Sequence, residues 1–573
     1  MKRNALFQHQ YTKAPKRSTF DLSHDFTFSC NMGQIVPILV QEALPGDTWR
    51  ISAETLVRFQ PLIAPVYQRF RVYRNYFFVP NRILWKNWEK FIDNSDADIT
   101  TAMPTIKLRA QNDYELYGIG SLADYIGLVP VVPDVENPEN NHPSYDPATN
   151  TDVNALPFAA YQKIYYEYFR DQNLIDGEDT PIPGMEWFRP GESLPDGVLE
   201  NNVPLGQRFQ QLMLLRIRAW KKDYFTSALT RAQKGDLVMI PMAFQDVPVY
   251  SPQGEPMKFV RSDSYEPFGN SQDITTNAAG NVQFGSSGVN AAINGDENDE
   301  TAFGNIWADT SRLSAPDATI NNLRVAFQVQ KWLELNNIGG TRYVEFLQKH
   351  FGVAPRDERL QRPEYIGGDS QNVVISEVLQ TTPTQEVGGE EEGALGDFAG
   401  HAITAKVSPT RRYNVMEHGY IIGLMSVMPE ALYWQGVQKF LWKKLPFDFA
   451  FPTFANLGEQ EILKKELLYD FHDSPYVNQT FGYTPRYAEY KFVNNRTAAE
   501  FRTTLDFWHY GRRLFFGEGP GNVSLNKSFI EYSNDKRIFA VIDQDEDEVL
   551  AHVAFRLYVT RPLPKYGTPI SLS

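Results

Sequence analysis

From Val549 to Thr560 the chain alternates with a period of two. Val549, Ala551, Val553, Phe555, Leu557 and Val559 fall on one side, and His552, Arg556, Tyr558 and Thr560 on the other. Successive side chains of a strand point to opposite faces, so this pattern fits a strand with one face buried. On a helix the same residues would be scattered around the axis. A second run, Val66 to Val79, alternates in the same way: Phe70, Val72, Tyr76 and Phe78 share a face, with Arg74 interrupting it. Arg69, Arg71, Tyr73 and Asn75 share the opposite face, which is expected to be wet. Pro80 has no N–H to give and stops the ladder. Asn81 is then placed to cap a helix whose Leu84, Trp85, Trp88, Phe91 and Ile92 recur at helical spacing. A third run, the apolar stretch of "RRYNVMEHGYIIGLMSVMP", reads as a central strand buried on both faces and closed by Pro429. Long strands at both ends and in the middle make the chain mainly β.

Helical spacing occurs between these runs. Phe158, Tyr161, Ile164, Tyr165, Tyr168 and Phe169 form one stripe. Gly206 to Thr230 predicts a second helix through Phe209, Leu212, Met213, Ile217, Trp220 and Tyr224, basic in its C-terminal half at Arg216, Arg218, Lys221 and Lys222. Two further stripes, Leu323–Ala326–Phe327–Gln330 and Tyr343–Phe346–Leu347–His350, are separated by Gly339 and Gly340. The segments 130–157, 175–204 and 251–318 are rich in Pro, Gly and polar residues and read as surface loops.

Charge is divided along the chain. The total is −15, yet residues 1–20 hold Lys2, Arg3, Lys13, Lys16 and Arg17 and no acid, with Phe7, Tyr11 and Phe20 interleaved. Cations for phosphates beside rings for bases suit a single-stranded DNA arm, where stacking contributes roughly 1–3 kcal/mol per base. Lys2, Arg3, Tyr11, Lys13, Lys16 and Arg17 are the candidate DNA-binding residues. A solvated terminus docking on a neighbouring subunit accounts for the same composition. Residues 251–318 carry ten acids against Lys258, Arg261 and Arg312, a net of −7. An unstructured loop of that length inside a compact domain is uncommon unless it is functional or a module of its own.

Signatures of catalysis are missing from the sequence. It has no GxxxxGK[ST] loop, HExxH helix or GxSxG elbow, and its nine His residues include no pair at three- or four-residue spacing. A single Cys, Cys30, forbids an intramolecular disulfide and a cysteine-built zinc site. Asp543, Asp545 and Asp547 imitate the start of a calcium loop, but Glu548 and Ala554 stand where its Gly and bidentate Glu are needed. No apolar run approaches membrane-spanning length, and the N-terminus lacks an apolar signal core. The expectation is a soluble, non-enzymatic protein made in a reducing compartment, with no cofactor, no metal and no membrane insertion.

Several stretches have a familiar wording: "VPILVQEALPGDTW", "PLIAPVY", "FFVPNRILWKNWEKF", "DYFTS", "GGTRY", "HFGV", "RLQRPEYIGG", "HGYIIGL" and the closing "RPLPKYGTP". They resemble the major capsid proteins of gokushoviruses, small single-stranded DNA phages of the Microviridae, across both ends and most of the middle of the chain. The resemblance implies an eight-stranded viral jelly roll with long loop and helical insertions. It further implies a T=1 icosahedral shell of sixty copies around a circular single-stranded DNA genome, assembled in the host cytoplasm. An internal scaffolding protein, a DNA pilot protein and a host cell-surface receptor would be its partners. In domain terms, residues 1–25 are a basic arm and 26–573 a single jelly-roll domain. Within it, 251–318 would build protrusions at the threefold axes, with Asp263, Asp273, Asn281, Asp296, Glu297, Asp299 and Glu300 facing the receptor. The residues alone leave a second class open, a β-sandwich protein binding or degrading polysaccharide, which would need paired carboxylates roughly 5–10 Å apart if it were a hydrolase.

Overall fold

The computed structural model describes residues 16–93, 102–107, 116–128, 152–175, 193–199, 206–235, 238, 274–276, 282–284, 320–340, 342–379, 385–387, 390–392, 398–469, 476–516, 522–533, 535–541, 543 and 546–566. The chain divides into two compact units, residues 1–234 with 334–573, and residues 235–333. Within the smaller unit, Ile274–Thr276 pairs antiparallel with Val282–Phe284.

In the larger unit the alternating runs become strands of one curled antiparallel sheet. They are β1 (Ser18–Asp21), β2 (His24–Cys30), β3 (Val36–Ala43), β4 (Thr48–Phe59), β5 (Phe70–Pro80), β6 (Glu364–Leu379), β7 (Phe398–Val407), β8 (Arg411–Asn414), β9 (Gly419–Pro429) and β10 (Val549–Arg561). Among the described residues the ladder runs β1-β10-β4-β7-β6-β5-β9-β3, a path of eight strands. β2 joins at β10 and β8 at β4, off that path. β6 turns the corner: residues up to Val373 pair with β5, and those from Val374 pair with β7. The sheet therefore closes over itself into two layers, the mainly β, jelly-roll architecture that the resemblance implies.

Between the layers lies the main core, with Phe70, Val72, Tyr76 and Phe78 from β5, Trp49, Ile51, Val57 and Phe59 from β4, and the odd-numbered residues of β10 from Val549 to Val559. Each large apolar side chain taken out of water contributes about 1.5–3 kcal/mol. β9 is buried at all eleven positions. Ile421, Met425 and Val427 face the sandwich, whereas Tyr420, Ile422 and Leu424 enter a second core. That second core is built by the helix Leu156–Ile164, the π-helical turn Tyr165–Phe169 and the helix Gly206–Met213 packed on the back of the β3-β9-β5 layer.

This packing revises the wet face expected of β5. Phe77 and Val79 are buried beneath the helices, with the Phe77 and Tyr168 rings 4.9 Å apart. Arg69 is exposed and Arg71, Tyr73 and Asn75 are half-buried, so only the first part of the strand meets solvent. The helix after Pro80 is also interrupted, as Asn81–Leu84 and Trp88–Asp93 with extended backbone at Trp85. Asn81 is the first helical residue rather than the cap, and its N–H donates to the His418 carbonyl at 3.0 Å. Trp85 is fully buried while Phe91 and Ile92 are exposed. Gly339 and Gly340 do separate two helices, Ile320–Ile338 and Tyr343–Phe351. Gly340 sits at φ +80°, where a side chain is strained.

The predicted helix from Gly206 to Thr230 stops at Met213. Beyond it the chain is extended, because better partners exist than a helix offers. The Arg216 carbonyl accepts from Ile35 N–H, Arg218 N–H donates to Gly33, and Trp220 N–H donates to Ile530, all at 2.7–2.9 Å. The basic residues are consequently split: Arg216 is buried, Arg218 half-buried, and Lys221 and Lys222 exposed.

Arg74, which broke the apolar face of β5, lies fully buried between the layers. Its register partner across the ladder is Asp369 on β6. Nε donates to Asp369 Oδ1 at 3.1 Å, and Nη2 donates to Asp369 Oδ2 and, at 3.1 Å, to Gln371 Oε1. Nη1 reaches the opposite layer at Thr55 Oγ1 on β4. A bidentate pair with these additional acceptors is the geometry in which a buried guanidinium is tolerated.

Candidate assembly surface

A stretch that carries no motif presents a dense run of exposed apolar side chains in the larger unit. Between Gly436 and Gly458, Pro446 and Pro452 each open a single 3-10 turn, and a third turn spans Lys439–Trp442. Proline without an N–H and a sequence of alternating rings prevent a continuous helix. The turns instead direct Phe440, Leu441, Leu445, Phe447, Phe449 and Leu457 outward, with Leu445 64 % and Phe447 71 % exposed. Phe447 and Phe451 both pack edge-on to Phe454, at 5.9 and 6.2 Å. Tyr490, Phe492 and Val493, all exposed, follow Tyr487, whose hydroxyl accepts from the Phe451 N–H at 3.3 Å. Contiguous exposed apolar groups on this scale mark a contact site rather than a solvated face.

The strip is held firmly from behind. Gly436 lies against the Glu466 carbonyl, which an added Cβ would meet at 2.0 Å, so no side chain fits there. Lys443 is buried, its Nζ donating to Glu489 Oε1 at 2.8 Å and the Tyr490 hydroxyl at 3.0 Å; Gln460 donates to the other Glu489 oxygen at 2.6 Å. Trp442 lies tilted against Tyr469, ring centres 5.4 Å apart, and under the Lys465 ammonium, 4.3 Å from the ring centre. Asp448 accepts from the N–H groups of Lys444 and Leu445, both at 2.8 Å, which holds its carboxyl below the usual carboxylate range. A backbone fixed this way loses little further entropy on docking.

Glu459, at the start of the hairpin Glu459–Leu463/Thr480–Pro485 behind the strip, is the strained charge here. Both its oxygens are buried with no hydrogen-bond partner among the described residues. Burial and then the Glu334 carboxylate push its carboxyl up to about 7, against the opposing pull of Lys349. A carboxyl with a raised folded-state pKa leaves the native state holding the extra proton, so stability is greatest below the unfolded value near 4.5 and declines as pH rises towards 7. The decline is at most about 1.4 kcal/mol per pH unit in that window. Glu459→Gln is expected to flatten it in chemical denaturation followed from pH 4.5 to 7.5. An unchanged slope would refute the assignment.

Of the residues expected from sequence to bind DNA, Lys16 and Arg17 are described. Both are exposed, immediately before β1, which pairs with β10. Lys2, Arg3, Tyr11 and Lys13 lie outside the described residues, as do Asp263, Asp273, Asn281, Asp296, Glu297, Asp299 and Glu300. Arg362, near the C-terminal side of "HFGV", engages Asp357 of its own chain and lies over the Tyr168 ring. Among the described residues no group of three or more His, Cys, Asp or Glu gathers around a cation-sized site, and no helix is long and apolar enough to cross a membrane. The strip has no periodic signature in the sequence, because its apolar residues follow neither a period of 2 nor one of 3.6. The density of Phe in "FLWKKLPFDFAFPTF" between two prolines was the available signal.

A rigid outward apolar strip on a jelly roll suits a subunit that packs against other subunits. Comparison with known proteins agrees. The family model described as "Capsid protein (F protein)" matches residues 9–571. The capsid protein VP1 of Bdellovibrio phage phiMH2K is 31% identical over 98% of this chain and 97% of its own length. VP1 of Chlamydia phage 1 is 30% identical over 99% and 98% respectively, and VP1 of Spiroplasma virus 4 is 29% identical over 96% and 95%. These matches bear out the gokushovirus resemblance along nearly the whole chain and select a coat protein over a polysaccharide-active sandwich. The chain belongs to the phage capsid protein (F protein) family.

Proposed function

We propose that this major capsid protein self-assembles into a T=1 shell of sixty copies enclosing a circular single-stranded DNA genome. Residues 251–318 form threefold protrusions used in host attachment, and the basic arm of residues 1–25 contacts the genome. Assembly in the host cytoplasm proceeds with an internal scaffolding protein, and a DNA pilot protein accompanies the genome. The observation that carries the reading is the strip around Phe447. Its apolar groups contribute binding energy only when a neighbour covers them, and a coat protein's neighbours are copies of itself. Opposite charge in the arm and the insertion fits one surface turned to a polyanion and one to solvent.

Purified protein is expected to yield particles of megadalton mass in negative stain, against 65.5 kDa for one chain. A monomer under all assembly conditions overturns the reading. Deleting residues 2–17 is expected to lower nuclease-protected DNA per particle while shells still form; unchanged DNA content removes the arm from the proposal. Excising 255–310 is expected to abolish adsorption to host cells, and normal adsorption removes the receptor role.

A further inference from the structure

On the outer face of β5, where Tyr73 is left uncovered by the helices, a cleft of about 440 Å³ opens. Tyr73, Phe169 and Trp220 give it ring surface, and Arg218, Lys221 and Arg342 give it positive charge. Three carboxylates also line it, and each is already engaged. Asp171 holds Lys222, Glu345 is 3.5 Å from Arg342 Nη1, and Glu430 is 2.8 Å from Arg71 Nε.

Two cations of the lining, Arg218 and Lys221, have no carboxylate partner among the described residues. The Arg218 guanidinium lies 4.2 Å from the Tyr73 ring centre and 5.4 Å from that of Phe169. Its Nη1 donates to Ser426 Oγ at 2.7 Å, and it has no carboxylate partner among the described residues. A guanidinium carries five N–H donors, so most of its capacity is unspent. Burial pushes its pKa down, against the opposing pull of the Tyr73 hydroxyl. Lys221, next along the wall, is exposed and makes no ion pair among the described residues. A half-buried cation between rings, in a cleft whose acids are neutralised, is costly to the free subunit and gains from an anion.

We propose that this cleft seats a nucleotide of single-stranded DNA, with Arg218 and Lys221 on the phosphate and the aromatic lining against the base. The volume lies in the range of small-ligand sites and is far too narrow for a duplex. Rings interleaved with cations favour a nucleic-acid strand over an acidic peptide, because a carboxylate chain has no flat face to stack. The inference rests on the genome-packaging reading and names where in the fold a strand is gripped apart from the N-terminal arm.

The test uses the full chain and a fluorescent oligothymidylate in anisotropy titrations over a salt series. Lys221→Gln, an exposed change, is expected to weaken binding about threefold and to flatten the log–log salt slope by roughly 0.7, the share of one phosphate contact. Arg218→Gln combined with Lys221→Gln is expected to weaken it at least about tenfold, with the slope flattened by roughly 1.4. Circular dichroism and particle formation control for folding. If wild type binds the oligonucleotide and both variants bind it as tightly with the same slope, the cleft proposal is overturned while genome packaging stands. If wild type binds no single-stranded DNA, the packaging reading fails first. Binding of oligoglutamate in place of DNA, abolished by the same variants, assigns the cleft to an acidic peptide and overturns the proposal.

Discussion

Arg74→Met destabilises the unassembled subunit by about 3–5 kcal/mol, the usual result of leaving one member of a buried ion pair behind. The guanidinium is wholly inaccessible, and the Asp369 side chain it holds is 9 % exposed. With Arg74 gone, the cation nearest that carboxylate is Lys406 Nζ at 3.7 Å, itself 42 % exposed and poorly placed to replace a bidentate partner. Thr55 and Gln371 lose their donor at the same time, so polar atoms in both layers are stranded. Arg74→Lys does not rescue this, because an ammonium cannot span Asp369, Gln371 and Thr55 with the planar fork. Arg74→Met with Asp369→Leu is expected to recover most of the loss, since removing both charges restores an apolar interior. Urea denaturation of the three variants measures these differences. A cost below about 1 kcal/mol for Arg74→Met would mean the pair is solvated in a way its burial forbids.

Arg74 also illustrates what the sequence made legible and what it did not. Alternation in β5 and β10 found both strands and their inward faces, because a period of two is a local property of extended backbone, although β5 begins at Phe70 rather than at Val66. The same alternation flagged Arg74 as an interruption but gave no way to find Asp369, 295 residues away in sequence. Long-range pairing has no local signature. The burial of Phe77 and Val79 follows likewise from helices supplied by a distant segment. At Gly206–Thr230 the helical spacing was real, yet backbone partners at Gly33, Ile35 and Ile530 outweighed helix propensity after Met213. The cleft beside Tyr73 was invisible for the same reason, being assembled from five separated stretches of chain.

The strip around Phe447 is the converse case, strongly marked in composition yet without periodicity, and it carries the second large effect. Leu445→Asp with Phe447→Asp is expected to abolish shell formation while leaving the subunit folded. In the free subunit both side chains meet solvent, and their replacement changes folding stability by only about 0.5 kcal/mol. In a covered contact each contributes about 1.5–3 kcal/mol of apolar burial, and the pair therefore about 3–6 kcal/mol. At 1.4 kcal/mol per factor of ten, that lowers each contact's association constant by about two to four orders of magnitude before the cost of burying a carboxylate is added. A closed shell repeats the contact at every copy, so the loss is compounded and the particle is replaced by free subunits rather than by a looser shell. The readouts are sedimentation for particle mass and thermal melting for the subunit fold. Particles of normal mass from the double variant would show that the strip faces solvent in the shell and that other surfaces join the copies. Unfolded protein would show instead that the turns Pro446–Asp448 and Pro452–Phe454 depend on those side chains. A Leu445→Ser, Phe447→Ser pair separates the two outcomes, because it removes the apolar contact without placing two carboxylates beside Asp448.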